Sequence, residues 1–137
     1  MKERHLYPKV SELFSEGYHL IYEYRLPDNS NREIDILCVS KNKCNPELIA
    51  IETKISDWKN VVRQAFIRLF YVDRSYIALP QKYAEKVEKE RLLRHGIGLI
   101  SVDGYAKILV DAKNSDKTLK RRREMLLNDI RNKLDYD

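Results

Sequence analysis

Apolar residues recur along the chain in two rhythms, one near 3.6 residues and one of 2, and the switches between them divide it into elements. After Pro8, which suits a first helical turn, Val10, Leu13 and Phe14 follow helical spacing, and Gly17 is placed to cap that helix. Tyr18 to Leu26 reads as a first strand, with Tyr22 and Tyr24 alternating in step with Leu20 and Leu26 and therefore assigned to the core. "PDNSN" at Pro27 to Asn31 is a turn, and "EIDILCVS" from Glu33 is a second strand. "KNKCNP" turns the chain into a third strand, Leu48 to Ile55. Ser56 then stands as the N-cap of a helix with Trp58, Val61, Val62, Ala65 and Leu69 on one face. "RSYIALP" is a fourth strand closed by Pro80, and a polar helix from about Lys82 to Arg94 ends at Gly96. "IGLISV" and "AKILVD" form a hairpin around Asp103-Gly104, and a charged helix runs from about Asp116 to Leu134.

The resulting order is α-β-β-β-α-β-α-β-β-α. Meandering strands followed by a helix and another strand predict an α/β domain with a mixed central β-sheet flanked by helices, the helix after the third strand being the crossover. No repeat or linker divides the 137 residues, so a single domain is expected, with a basic C-terminal helix from about residue 115.

Composition narrows the choice of partners. A chain with 34% charged and 43% hydrophobic residues is globular with a heavily charged surface. No apolar run approaches the ~20 residues of a membrane span, and the start "MKERHLYPK" lacks the apolar segment of a secretory signal. The expectation is an intracellular, cytoplasmic protein without membrane contact. A net charge of +5 favours a polyanionic partner. Cys38 and Cys44 lack metal-ligand spacing and read as small, partly buried apolar residues; His5, His19 and His95 are scattered, and Gly96 to Gly98 read as a cap and turn.

The candidate chemistry lies where acidic residues interrupt apolar strands. In "LIAIETK", alternation assigns Ala50, Glu52 and Lys54 to one face and Ile49, Ile51 and Thr53 to the other. Asp35 interrupts "EIDILCV" in the same way. A Glu and a Lys two apart are ordinary on an exposed sheet, where such a pair contributes about 0.2–1 kcal/mol. Here the neighbours are apolar on both faces, and a buried lone carboxylate costs several kcal/mol. If the second and third strands pair antiparallel, Asp35 and Glu52 converge at one end of the sheet. Two carboxylates that close repel unless a cation lies between them. Mg²⁺ takes oxygen ligands from one or two carboxylates, waters and substrate phosphates. Lys54 would add an ammonium to stabilise charge on an attacked phosphate, which makes the set a hydrolytic site for phosphodiesters.

Asp35 followed by Glu52-Thr53-Lys54 resembles the signature of the PD-(D/E)XK nuclease superfamily, the group with the restriction-endonuclease-like fold. "ERHLYPKVSELFSEGYHLIYEY", "IDIL", "IAIETK", "RQAFIRLFYVDRSYIALP" and "HGIGLISVD" resemble compact members in the same order, from about Glu3 into the basic tail. The resemblance implies that Asp35 and Glu52 bind the metal with the main-chain carbonyl of Thr53, and that Lys54 is the catalytic lysine. It also implies a site role for Gln64, with Arg68 one turn on, and an extra acidic ligand from the first helix, Glu3 with Glu12 as rival; Glu23 on the first strand would reach the metal instead if that strand pairs with "EIDI". The family's proline is missing, Ile34 standing before Asp35; the literal Pro27-Asp28 falls in a turn at the far end of the first hairpin and is rejected.

Lys117, Lys120, Arg121, Arg122 and Arg123 form a basic run able to track phosphates, although such runs are also ordinary solvated helix faces. Three functions follow. The first is a Mg²⁺-dependent endonuclease acting on DNA, with Mn²⁺ able to substitute, structure-directed or weakly sequence-specific, and working as a homodimer or as a subunit of a larger machine. The second is a nuclease-fold DNA-binding module without turnover. The third is a sheet protein whose basic surface recruits another protein or RNA.

Overall fold

A computed structural model describes residues 2–56 and 58–134. Six strands lie in one sheet in sequence order: β1 (Tyr18–Arg25), β2 (Glu33–Ser40), β3 (Leu48–Thr53), β4 (Arg74–Pro80), β5 (Gly98–Val102) and β6 (Ala106–Val110). The first three form an antiparallel meander, β4 lies parallel to β3 and β5 parallel to β4, and β6 returns antiparallel. The sheet is therefore mixed, as the pattern predicts. Its two parallel joins are bridged by helices: α2 (Trp58–Arg68) between β3 and β4, and α3 (Gln81–Ala84) with α4 (Lys89–His95) between β4 and β5. Among the described residues no helix is long and apolar enough to cross a membrane.

Both sheet faces are covered, which explains why β3 is buried at every position and reads as an unbroken apolar run. On one face a short 3-10 turn (Glu3–Leu6) and α1 (Tyr7–Glu12) set Leu6, Val10 and Phe14 against Ile36, Ile49, Ile51 and Tyr76. On the other, Val61, Val62 and Ala65 of α2 pack on Ile77, Leu79 and Leu99. Beside them α5 (Lys120–Leu134) lays Leu126, Leu127 and Ile130 over Leu37, Val39 and Ala50.

Several boundaries differ from the pattern. Helix α1 ends at Glu12 on a right-handed Leu13, so Gly17 caps nothing, and Leu13 is exposed. The expected Lys82–Arg94 helix is two helices, α3 and α4; Gly96 does terminate the second in the left-handed conformation, φ 73°. Gly98 is a strand residue rather than part of a turn. A Cβ there would sit 2.3 Å from the Tyr76 ring, so glycine is required for that close approach. The β5–β6 connection has three residues, Val102 pairing with Ala106, and Gly104 does not take a positive φ. The C-terminal helix starts at Lys120 because Thr118 instead bonds the carbonyls of Leu69 and Val72, at 3.1 and 2.6 Å. Cys38 is buried, burial pushing its thiol up, whereas Cys44 is exposed. The cap assigned to Ser56 turns on residue 57, which lies outside the described residues.

The largest departure is in β1. Glu23 has φ 50°, uncommon for a side chain larger than glycine, and this breaks the alternation between Tyr22 and Tyr24. Tyr24 is buried toward α5, its hydroxyl donating to Asp129 at 2.6 Å. Tyr22 emerges on the opposite face, half-exposed, stacked on Tyr7 at 5.6 Å and hydrogen-bonded to Ser11.

Candidate functional site

The antiparallel register of β2 and β3 runs from Val39↔Leu48 to Ile36↔Ile51. One step further the ladder is replaced by side-chain bonds, because two carboxylates occupy the next positions. The Asp35 carboxylate accepts both the Thr53 amide, at 2.8 Å, and the Thr53 hydroxyl, at 3.1 Å. The main-chain amide of Asp35 in turn favours the charged form of the Glu52 carboxyl. Asp35 is thus fixed by a backbone group of the neighbouring strand, and Glu52 by the Arg68 guanidinium of α2.

Burial acts on both, and the charge of Asp35 acts on Glu52. Burial raises the pKa of Asp35, opposed by the Thr53 bonds and Arg68 and reinforced by Glu3. Glu52, 1% exposed, is pushed up to about 8: burial is the largest cause, the Arg68 guanidinium opposes it and Asp35 adds to it. The local positive charge does not fully compensate the pair.

Arg68 is not a surface contact for nucleic acid. It is 3% exposed, donates from Nε to Glu52 at 3.0 Å, and donates from its terminal nitrogen to the Glu33 carbonyl at 2.8 Å. The signal was present in the sequence, since Arg68 lies seven residues after Val61 and three after Ala65, on the buried stripe of α2. Gln64, one turn earlier on that helix, is half-buried.

Lys54 departs from the alternation argument. Strand β3 ends at Thr53, and the Lys54 amide bonds the Ala78 carbonyl of β4. Its ammonium lies 3.7 Å from Glu3, on the 3-10 turn that packs against the face opposite α2. Glu52 and Lys54 therefore approach the strand end from different sides, Glu52 tied to Arg68 and Lys54 to Glu3. Glu3 is the best placed of the acidic candidates, since it acts on both Lys54 and Asp35. Glu23 pairs with Arg4 at 3.0 Å in an exposed position, and Glu12 is exposed at the end of α1.

Tyr7 belongs to this cluster, and the pattern reading missed it. Its phenol is held well above the usual tyrosine range by burial, then by the charges of Asp35 and Glu23, while the nearby Thr53 hydroxyl opposes the rise. The available signal was its position four residues after Glu3, one turn along the same side.

Among the described residues no three His, Cys, Asp or Glu side chains converge to hold an ion. A divalent cation here would have two carboxylates and main-chain oxygen, the rest of its shell being water or phosphate. That donor set fits a hard ion such as Mg²⁺, which rarely uses an all-protein cage, and the raised pKa values of both acids match a pair short of positive charge.

The basic run lies elsewhere. Arg123 clamps Asp73 at 2.9 and 3.1 Å and donates to the Pro46 carbonyl, a structural role beside the first residue of β3, Leu48, whose amide also bonds Asp73. Arg122 lies over the Tyr71 ring at 5.0 Å, and Lys117 pairs with Asp116 and covers Phe66. Lys120 and Arg121 are exposed. Arg123, in the first turn of α5, thus lies at the opposite end of β3 from Glu52.

No family model matches the chain, and no curated protein matches it. Among solved structures it is similar to SPO1766 protein of unknown function from Silicibacter pomeroyi, with a TM-score of 0.70 and 21% identity, covering 98% of this chain and 88% of that one. At that identity the likeness concerns the fold: an α/β domain whose six-stranded mixed sheet is flanked by helices.

Proposed function

We propose that the chain is a Mg²⁺-dependent endonuclease of the restriction-endonuclease-like fold, hydrolysing DNA phosphodiesters at the shared end of β2 and β3. The observation that carries this reading is the anchoring of Asp35 to the Thr53 amide next to the buried Glu52 of the adjacent strand, both carboxyls being raised in pKa, with the Lys54 ammonium approaching the same strand end from the Glu3 side. Asp35, Glu52 and the Thr53 carbonyl would hold the ion, with Glu3 able to reach its outer shell. When bound, the ion supplies Lewis acidity toward the phosphoryl oxygen and the attacking water. Lys54 places positive charge where the phosphorane develops it, once substrate draws it from Glu3. Thr53 and Arg68 hold the carboxylates in position, and Tyr7 remains a neutral hydroxyl beside them. Mn²⁺ serves in place of Mg²⁺, its oxygen-ligand preference being similar.

A second reading, a DNA-binding module without turnover, is favoured by one observation: Glu52 is already engaged by a buried guanidinium. A panel of linear duplex, single strand, flap and four-way junction, incubated with and without Mg²⁺ or Mn²⁺, separates the two. Cleavage of at least one substrate that stops on chelation is the expected result. Binding without cutting under every condition supports the module and refutes the enzyme.

A further inference from the structure

A second cationic site lies on another side of α2. Val62, Arg63 and Phe66 of α2, with Arg91 and His95 of α4, line a cavity of about 210 Å³. With 3.6 residues per turn, Arg63 and Phe66 project more than a quarter turn away from Gln64 and Arg68, so this groove is separate from the carboxylate site. Every ionisable side chain lining it is basic. The Phe66 ring meets the His95 imidazole edge-on, 5.0 Å between centres, and Lys117 Nζ stands 5.8 Å from the centre of the same ring.

The positive charge there is largely uncompensated. Among the described residues, Arg63, Arg91 and Arg94 form no ion pair; Lys117 has the exposed Asp116 at 3.2 Å. The field registers on His95, whose pKa is pushed down by burial and then by Lys117, Arg94 and Arg91. Cations gathered without carboxylates repel one another unless an anion joins them. Phe66 adds a half-buried aromatic ring among the cations, the combination by which single strands are held: phosphates on basic groups, an unstacked base on an aromatic face. A groove of this size admits one backbone unit at a time, which suits a strand rather than a duplex.

We propose that the groove between α2 and α4 binds the phosphodiester backbone of single-stranded DNA, Arg63 and Arg91 contacting phosphate and Phe66 contacting a base. This rests on the reading of DNA as substrate, but it does not use Asp35, Glu52 or Lys54. The probe is a fluorescently labelled single-stranded oligodeoxynucleotide, with the matching duplex alongside, titrated with protein in EDTA by anisotropy. Arg63→Glu/Arg91→Glu should weaken single-strand binding at least about tenfold. It should also reduce the salt slope by about 1.4, the loss of two contacts at ~0.7 each. Lys107→Glu/Arg131→Glu, the same change in net charge on β6 and near the end of α5, should alter affinity by less than about threefold. All four positions are exposed, and circular dichroism checks that each variant is folded. Unchanged affinity in the groove variant, an equal loss in the control variant, preference for the duplex, or no DNA binding at all would each overturn the proposal. Because cutting is absent in EDTA, intact groove binding by a protein that never cleaves would refute the enzyme and leave the groove standing.

Discussion

Asp35→Asn should reduce Mg²⁺-dependent cleavage of DNA by about a thousandfold or more and leave the protein at least as stable as the parent. Asparagine keeps the shape and can still accept the Thr53 amide and hydroxyl through its carbonyl oxygen, so the local fold has no reason to open. What disappears is a charge. Removing it deprives a divalent ion of one of two carboxylates, and losses of this kind at preorganised electrostatic sites run to about 10²–10³ or beyond. The same change relieves Glu52 of a neighbour that raises its pKa, so stability should hold or increase. Single-turnover cleavage and urea denaturation, measured on one preparation, give both halves of the test. Loss of activity with loss of fold would make Asp35 structural, and full activity would remove it from the site.

Arg68→Ala should destabilise the protein by about 1–3 kcal/mol near neutral pH, the usual cost of leaving buried polar groups without their donor. Glu52 would lose the guanidinium that opposes its desolvation, and the Glu33 carbonyl would lose a donor. The sign with pH follows from the raised carboxyl. Already in the parent the folded pKa, about 8, exceeds the unfolded 4.5, so the folded state holds a proton that the unfolded state has released. Stability from this group is therefore complete below about 4.5 and declines as pH rises toward 8. Without Arg68 the folded pKa moves higher still, so the variant's deficit should be larger at pH 8 than at pH 5. Arg68→Met combined with Glu52→Gln, which removes both charges, should recover much of the loss. A deficit below about 1 kcal/mol that ignores pH would mean that the pair contributes like a surface ion pair.

Much of this architecture could be read from the pattern because local signals and tertiary packing agree. Strand β2 starts at Glu33 and β4 spans Arg74 to Pro80, as their apolar runs require, and the β2–β3 pairing brings Asp35 to Thr53, the residue after Glu52. The misreadings share one cause, which is that periodicity describes an element and carries no information about its end or its irregularities. Alternation assigned Lys54 to the face of Glu52, but the strand stops one residue earlier and the side chain turns to Glu3. Alternation also assigned Tyr22 and Tyr24 to one core, and a single positive φ at Glu23 separates them; nothing in a glutamate announces that conformation. Arg123 belonged to a basic run in sequence but to Asp73 in space, a partner 50 residues away that no local reading would select. Arg68 is the instructive exception. Its place on the apolar stripe of α2 was visible, and a charge on such a stripe demands a buried partner.

The account depends on Asp35 and Glu52 forming one divalent-ion site. Calorimetric titration of the parent with Mn²⁺ across pH 6 to 8 tests this without DNA. The expected result is one ion per chain, bound more tightly as pH rises and with proton release, because Glu52 must give up the proton that burial helps it keep. Binding should be lost in Asp35→Asn and in Glu52→Gln. Absence of Mn²⁺ binding in the parent, or binding that neither substitution alters, would contradict the account.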